Sequence, residues 1–525
     1  MMNLRVGRTL SAMLWTISCA AAFVTGMGCK PVRHIEIQEA PGDEAPNTGD
    51  ADDELCVPAC EAPRRCGGGS HPRVCGQSFY ISAQGGLDTN SGVDASSAWA
   101  TFDHAWSVLQ AGDVLVVRDG IYPPMQPSVS GTENAPILIR AQSDGGAVFD
   151  AATLDESPCA VQGQVDDRLH DIVFEGLTCR NGTSHNVFVH YADRVSIRRV
   201  TAILDSALTD LAPFRVLSST QVLLEDTATK GEGTGGLYSV RSSDAVVVRR
   251  AFGLWTSPTN NGNISILTFA NCVGCVLENS VFFAVGGSTE SLCANFFNCD
   301  DCTMRGNVVR GPFAWSYVMS GDRLVDEGVF SNNVAMQGRR GLFVRQVADL
   351  RVRRMTAAEI SATALAASPE NQLSPVPSSI GVRVRDSVVV MAAEGFSVSS
   401  STAIVFFDND FNDLFSVTSP YANQASMGPN EISIDPEFQI ATYSAGAYLQ
   451  AVLPGQGENG ASMGAEVLYR YVEAAPADTP PGEGVVTDIP LWPWPMEQRI
   501  LDEFSVSVTF EANGGIWPHL DGVYP

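Results

Sequence analysis

A seven-residue phrase recurs nine times between residues 172 and 388. Each copy runs apolar, any residue, apolar, two or three mostly polar residues, then another apolar or small one. The copies start at Ile172 (IVFEGLT), Val195 (VSIRRVT), Val222 (VLLEDTA), Val246 (VVVRRAF), Cys275 (CVLENSV), Cys302 (CTMRGNV), Gly328 (GVFSNNV), Leu350 (LRVRRMT) and Val382 (VRVRDSV). The steps between them are 23, 27, 24, 29, 27, 26, 22 and 32 residues. A period in the twenties marks a stacked-repeat architecture. The apolar spacing of two inside each copy is the strand period. The fifth position is Gly176, Arg199, Asp226, Arg250, Asn279, Gly306, Asn332, Arg354 or Asp386. Gly, Asn and Asp accept the tight bend that turns one short strand into the next.

A second strand precedes the phrase. Counting back eight and six residues gives Val187/Val189, Phe214/Val216, Tyr238/Val240, Leu267/Phe269, Ala294/Phe296 and Leu342/Val344, all apolar or aromatic. The copy at Gly328 breaks this alignment, and a small insertion near Gly321 accounts for it. Two strands in fixed register per repeat, with variable loops between, describe a coil of parallel strands. Each rung stands roughly 4.8 Å above the last. A leucine-rich horseshoe is the rival, but its signature and regular length are absent. The expected fold is all-β, a right-handed parallel β-helix.

A solenoid also removes the difficulty of 525 residues, which exceed one ordinary compact core. The net charge of −27 comes from 59 acids against 32 bases, of which only Lys30 and Lys230 are lysines. Nucleic-acid affinity comes largely from basic residues meeting phosphates, so no nucleic-acid partner is expected. Thirteen cysteines point to an oxidising destination. The first residues agree: Arg5 and Arg8, an apolar run over 10–24, then Gly26-Met27-Gly28-Cys29. This order resembles a bacterial lipoprotein signal (residues 1–28), which implies a lipid on Cys29 and a membrane-anchored, exported protein at the outer membrane or cell surface. Gly26 departs from that pattern, and ordinary cleavage without lipid is the alternative. Residues 29–55 are acidic and rich in Pro, Gly and Asn, the composition of a disordered tether. Cys56, Cys60, Cys66 and Cys75 follow in a small module over 56–78, read as two disulfides with zinc as the alternative.

Further on, Cys272 and Cys299 are 27 residues apart, as are Cys275 and Cys302, and 27 is the local rung step. Disulfides between stacked rungs are therefore expected, with zinc on the C-x2-C pairs as the second reading. Cys159 and Cys179 form a further candidate pair, which leaves Cys293 unpaired. Asp88, Asn90, Gly92 and Asp94 alternate in a loop; this is a calcium candidate through Asp88, Asn90 and Asp94, with a plain Asx turn as the alternative. Residues 99–109 carry apolar side chains at helical spacing and are expected to cap the open end of the coil.

Three segments, FYISAQGGLDTNSG, SAWATFDHAWSVLQAGDVLVVRDGIY and APILIRAQSDGGAVFDA, together resemble the opening of bacterial pectate-lyase-like β-helix proteins. NEISIDPEF (430–438) and AYLQAVLPGQGENGASMGA (447–465) resemble the closing segment of the same family. The resemblance implies a β-helix over 79–465, followed by an extension over 466–525 that packs on it. It specifies fold more than activity.

In the strand before each phrase, the residues between and after the core positions point outward. His190, Arg215, Ser239, Arg241, Thr268 and Asn295 then form one polar stripe, with Phe188, Phe297, Phe343 and Arg345 on the same face. The loop with Lys230 and Glu232 is expected as its wall. In the resembled family this face is the substrate groove. The stretch LYSVRSSDAVV (237–247) resembles the catalytic rung of alginate-lyase-like and chondroitinase-like enzymes, with Arg241 where they have Lys. Arginine is much harder to deprotonate, which speaks against a base there. An inverting hydrolase would need two carboxylates about 6.5–9.5 Å apart; the stripe offers none, although Asp408, Asp410 and Asp413 cluster elsewhere. The expected function is binding of extracellular polysaccharide by a monomer. The alternative is a polysaccharide lyase acting by β-elimination, with Arg241, Lys230 and Arg215 as its catalytic candidates and His190, Ser239, Thr268, Asn295 and Phe297 holding substrate.

Overall fold

The computed structural model describes residues 76–504, apart from 152–155, 184, 204–211, 232–235, 257–264, 285–290, 369–379, 400–404, 444–445, 474–483, 492–498 and 501–503. The signal, Cys29, the acidic tether and Cys56, Cys60, Cys66 and Cys75 lie outside the described residues, as does Glu232.

Three parallel ladders of short strands make the coil. The first holds the front half of each phrase and runs in register through Phe79, Leu115, Ile139, Phe174, Ile197, Leu224 and on to Val384. The second holds the back half, from Phe149 through Cys179 and Ala202 to Leu414. The third holds the strand before the phrase: Val187–His190, Phe214–Leu217, Tyr238–Arg241, then the starts of Ser265–Val273 and Leu292–Asp300. Its pairings put Val189, Val216, Val240, Phe269 and Phe296 in one inward row. The irregular copy is also accounted for: register slips between Ser320 and Val325, where the long strand Trp315–Ser331 carries extra residues against Leu342–Arg353.

The bend between the first and second ladders is left-handed at every fifth position, from Gly176 (φ 71°) through Arg199 (48°), Arg250 (47°) and Arg354 (52°) to Asp386 (54°). Two buried asparagines brace this corner. Asn307 Oδ1 accepts from the Ser280 amide at 3.0 Å, and Asn333 Oδ1 accepts from the Asn307 amide at 3.0 Å and its side chain at 2.9 Å. The fourth phrase position forms a row that the hydrophobic pattern did not reveal. Arg140, Glu175, Arg198, Glu225, Arg249, Glu278 and Arg305 are successive register partners, alternating in sign. Glu225 meets Arg249 at 2.5 Å and Arg198 at 3.1 Å, and Arg305 meets Glu278 at 2.6 Å.

The coil is capped by α1 (Phe102–Val108), shorter than the 99–109 expected, because Thr101 caps it and Leu109 is already extended. Trp99 instead stacks on Phe79 at 4.7 Å. The parallel coil, expected to run to residue 465, has its last strand at Ser419–Asn423. Beyond it, Glu437–Tyr443 and Gly446–Val452 pair antiparallel. This later chain lays Leu453, Met463, Val467, Leu491, Ile500 and Phe504 over the outward apolar residues of the second ladder, among them Phe252, Leu254, Val281 and Phe283.

Cys159 and Cys179 are joined by a disulfide, with Cα atoms 6.1 Å apart. The bridges expected for Cys272–Cys299 and Cys275–Cys302 are not formed: all four are buried free thiols, as is Cys293. Cys272 and Cys299 are register partners, as expected. The four thiols lie within hydrogen-bonding reach of one another without being joined, Cys272 to Cys275 and Cys299, and Cys302 to Cys275 and Cys299. Sulfurs also meet carbonyls, Cys272 that of Ala270 at 3.4 Å and Cys299 that of Phe269 at 3.4 Å.

Candidate functional site

Alternation along the third ladder turns one residue in two out of the core. One outer row runs Phe188, Arg215, Ser239, Thr268, Asn295, Val318, Phe343 in unbroken register. The adjacent row runs His190, Leu217, Arg241, Ala270, Phe297, Ser320, Arg345. The stripe read from sequence is therefore one face, and Arg215 and Arg241 share it on adjacent rungs.

The two arginines are positioned differently. Arg241 is exposed, and its Nε donates to Ser239 Oγ at 3.3 Å. Arg215 is half-buried, and its guanidinium donates to His185 Nε2 at 3.3 Å. The other ring nitrogen, His185 Nδ1, donates to the Ala212 carbonyl at 2.9 Å, which fixes the neutral tautomer. Burial drives the His185 pKa down to about 4, and the nearby Arg215 charge adds to this. Burial and the Arg241 charge also lower the pKa of Arg215. Burial lowers the His190 pKa, and the Arg215 and Arg168 charges add to this. Its ring stacks on Tyr191 at 3.9 Å and on Phe188 at 5.2 Å.

Many arginines elsewhere on the coil sit on carboxylates, as Arg168 on Asp193, Arg194 on Asp171 and Arg250 on Asp226. Among the described residues no carboxylate lies within ion-pair distance of Arg215, Arg241 or Arg345. Buried atoms His190 Nδ1, Arg215 Nε, Asn295 Oδ1 and Arg345 Nε have no hydrogen-bond partner among the described residues. Each such group costs about 1–3 kcal/mol unless something meets it. Farther along, Trp315 stacks on Phe343 at 4.8 Å, with the Arg340 guanidinium 5.0 Å above the Trp315 ring.

The other expected site residues fall elsewhere. Lys230 belongs to the second ladder, paired with Ile203 and Leu254, and its ammonium donates to the Phe504 carbonyl at 3.4 Å. It is not a wall of the stripe, because the bend at Asp226 carries the chain onto another face before Lys230 is reached. Asp408 pairs with Arg385 at 2.7 Å on the first ladder, and burial pushes the Asp413 carboxyl up to about 7 on the second. Asp88 accepts from the Ala100 and Thr101 amides at 2.9 Å, and Asp94 from the Ser96 and Ser97 amides at 2.9 Å. Asn90 donates to the Ala98 carbonyl at 2.9 Å. These three side chains thus tie down their own loop.

His185, Trp315 and Arg340 were not singled out from sequence. They stand at strand ends and turns, where the alternation that located the stripe does not reach.

No protein-family profile matches the chain, and no curated protein does. Among solved structures it is similar to the pectate lyase Pel9A, at 14% identity over 64% of this chain and 79% of that one, TM-score 0.36. A PL6-family polysaccharide lyase from Pseudopedobacter saltans shares 11% identity over 61% of this chain and 86% of that one, TM-score 0.40. The surface adhesin PfbA of Streptococcus pneumoniae shares 12% over 66% and 92%, TM-score 0.34.

Proposed function

We propose that the outer face of the third ladder binds an anionic polysaccharide, in an exported protein anchored through a lipid on Cys29. The observation that carries this is the set of arginines without carboxylate partners among the described residues, Arg215, Arg241 and Arg345, on a chain of net charge −27. Guanidinium groups form paired, charge-assisted hydrogen bonds to carboxylates. The aromatic rings of Phe188, His190 and Phe297 on the same rows supply flat apolar surface for sugar rings. Positive side chains aligned on one face attract an anion there.

Polyuronate lyase activity is the second reading. It is favoured by one observation: an imidazole, His190, whose buried Nδ1 has no partner among the described residues, on the face that carries Arg215. Elimination needs a cation to neutralise the carboxylate and a base to take the neighbouring proton.

The test is incubation of the full chain with polygalacturonate, alginate and neutral xylan. Binding to a uronate polymer and not to xylan is the expected result, abolished by Arg215→Ala/Arg241→Ala with unchanged circular dichroism. Rising ultraviolet absorbance of an unsaturated product would make the protein a lyase. A double variant that binds every polymer the parent binds would reduce the face to a solvated surface.

A further inference from the structure

We infer that this face takes its polymer lengthwise, along the coil axis, and grips it at two separated points. This rests on the reading of the face as a polyuronate groove and adds to it the direction, the length and a second anchoring site. The first point is Arg215 with His185, His190 and Arg241. The second is Trp315, Phe343, Arg340 and Arg345, of which the repeat pattern had placed only Phe343 and Arg345 on this face.

The second point is built as a sugar-acid subsite. Trp315 and Phe343 stack on one another at 4.8 Å, and both remain partly exposed. Arg340 lies over the Trp315 ring. Arg345 sits two residues beyond Phe343, on the outer side of the same strand, with a buried Nε that nothing among the described residues meets. A carboxylate is present in the neighbourhood: Glu394 acts on Arg340, and it accepts from the Thr363 hydroxyl at 2.9 Å. Arg345 has no such neighbour within ion-pair distance among the described residues.

The separation follows from the register. Arg215, Ser239, Thr268, Asn295, Val318 and Phe343 are successive partners, so Phe343 stands five rung steps from Arg215. That is about 24 Å at roughly 4.8 Å per rung. An extended pyranoside chain advances by close to one rung per sugar. A chain lying along the axis therefore needs about six sugars to reach from one point to the other. Between them the outer rows offer Thr268, Asn295 and Phe297, with no charge to capture a carboxylate and one unpartnered acceptor, Asn295 Oδ1, for a sugar hydroxyl. A chain lying along a single strand, at right angles to the axis, would meet one point only. Two linked contacts bind far more tightly than either alone, provided the ligand spans both.

The experiment titrates the full chain with oligogalacturonates of defined length, from disaccharide to decasaccharide, by calorimetry and tryptophan fluorescence. Affinity should climb by about a hundredfold between trisaccharide and octasaccharide and then level off, as linkage of two contacts predicts. Octasaccharide should change the Trp315 emission, read as the difference between the parent and Trp315→Phe, at ligand excess where trisaccharide bound at the first point does not. Arg345→Ala should weaken octasaccharide about tenfold and leave a weak trisaccharide contact at Arg215 unchanged. Arg345→Lys, which keeps the charge, serves if the alanine variant fails to fold. Equal affinity for trisaccharide and octasaccharide, or octasaccharide binding indifferent to both Arg345 variants, would overturn the two-point arrangement while leaving the groove intact. Failure of every uronate polymer to bind would overturn the groove itself, and this inference with it.

Discussion

Arg250 occupies backbone that usually belongs to glycine or asparagine, at φ 47°. It is kept there by what its side chain reaches: Asp226 at 2.7 Å and Glu225 at 2.6 Å. Ion pairing thus offsets a local conformational cost, of order 1–3 kcal/mol for a side chain in the left-handed region. Arg215 shows the opposite balance, since its charge has no acid to meet and only a histidine to orient it. His185 can play that part because its pKa, depressed to about 4 by burial, keeps Nε2 free to accept. His185→Phe keeps a ring against Phe188, 5.1 Å away, and removes the acceptor. Calorimetry with polygalacturonate should then show roughly tenfold weaker binding, the worth of one hydrogen bond of about 1.4 kcal/mol. An unchanged affinity would mean that Arg215 needs no orienting partner.

At the scale of the strand, the alternating row from Arg140 to Arg305 sets which rung pairs with which. A slip of one rung would bring like charges together along the whole row, whereas the hydrophobic rows would tolerate it. Glu225 is the centre of this row. Burial alone would raise its carboxyl, but Arg250, Arg249 and Arg198 hold it near 2. A carboxyl lowered on folding stabilises above its ordinary value of 4.5. That contribution is lost as the pH falls from about 4.5 through 2. Glu225→Gln removes the charge that Arg198, Arg249 and Arg250 share, although Arg250 keeps Asp226, and should cost about 3–5 kcal/mol. Urea melts of parent and variant should differ by that amount at pH 7 and converge as the pH approaches 2. A constant difference across the range would show that the ion pairs do not supply it.

For the whole molecule, an excess of acids on the outside and a cationic stripe on one face suit a protein held among acidic polymers at a surface. The order of residues 1–29, basic, apolar and then small before Cys29, supplies the anchor in this reading. Cys29→Ser, expressed in a bacterial host, should move the protein from the membrane fraction to the soluble fraction, and mass spectrometry of the parent should find lipid on Cys29. A mature chain beginning elsewhere without lipid would refute the anchor and leave the glycan groove untouched.

Much of this was readable along the chain, because a solenoid repeats one local rule. Apolar spacing of two and a step in the twenties located the phrases. Counting back eight and six placed the third ladder residue by residue, and with it Arg215, Arg241 and Asn295 on one outer face. The alternating signs Glu175, Arg198, Glu225, Arg249, Glu278, Arg305 were equally present in the sequence, but a hydrophobic pattern does not look for them. Other features depend on distances that no local rule contains. Lys230 went to another face because the bend at Asp226 intervenes. Cys272 and Cys299 became register partners with their thiols in contact but unjoined, which the spacing alone does not distinguish from a bridge. Trp315 met Phe343, and Arg215 met His185, only when strand ends separated by tens of residues were folded together. The repeat alone determined the scaffold and the face that carries the stripe; the folded chain decided which of its charges were left without partners, since that depends on every neighbour at once.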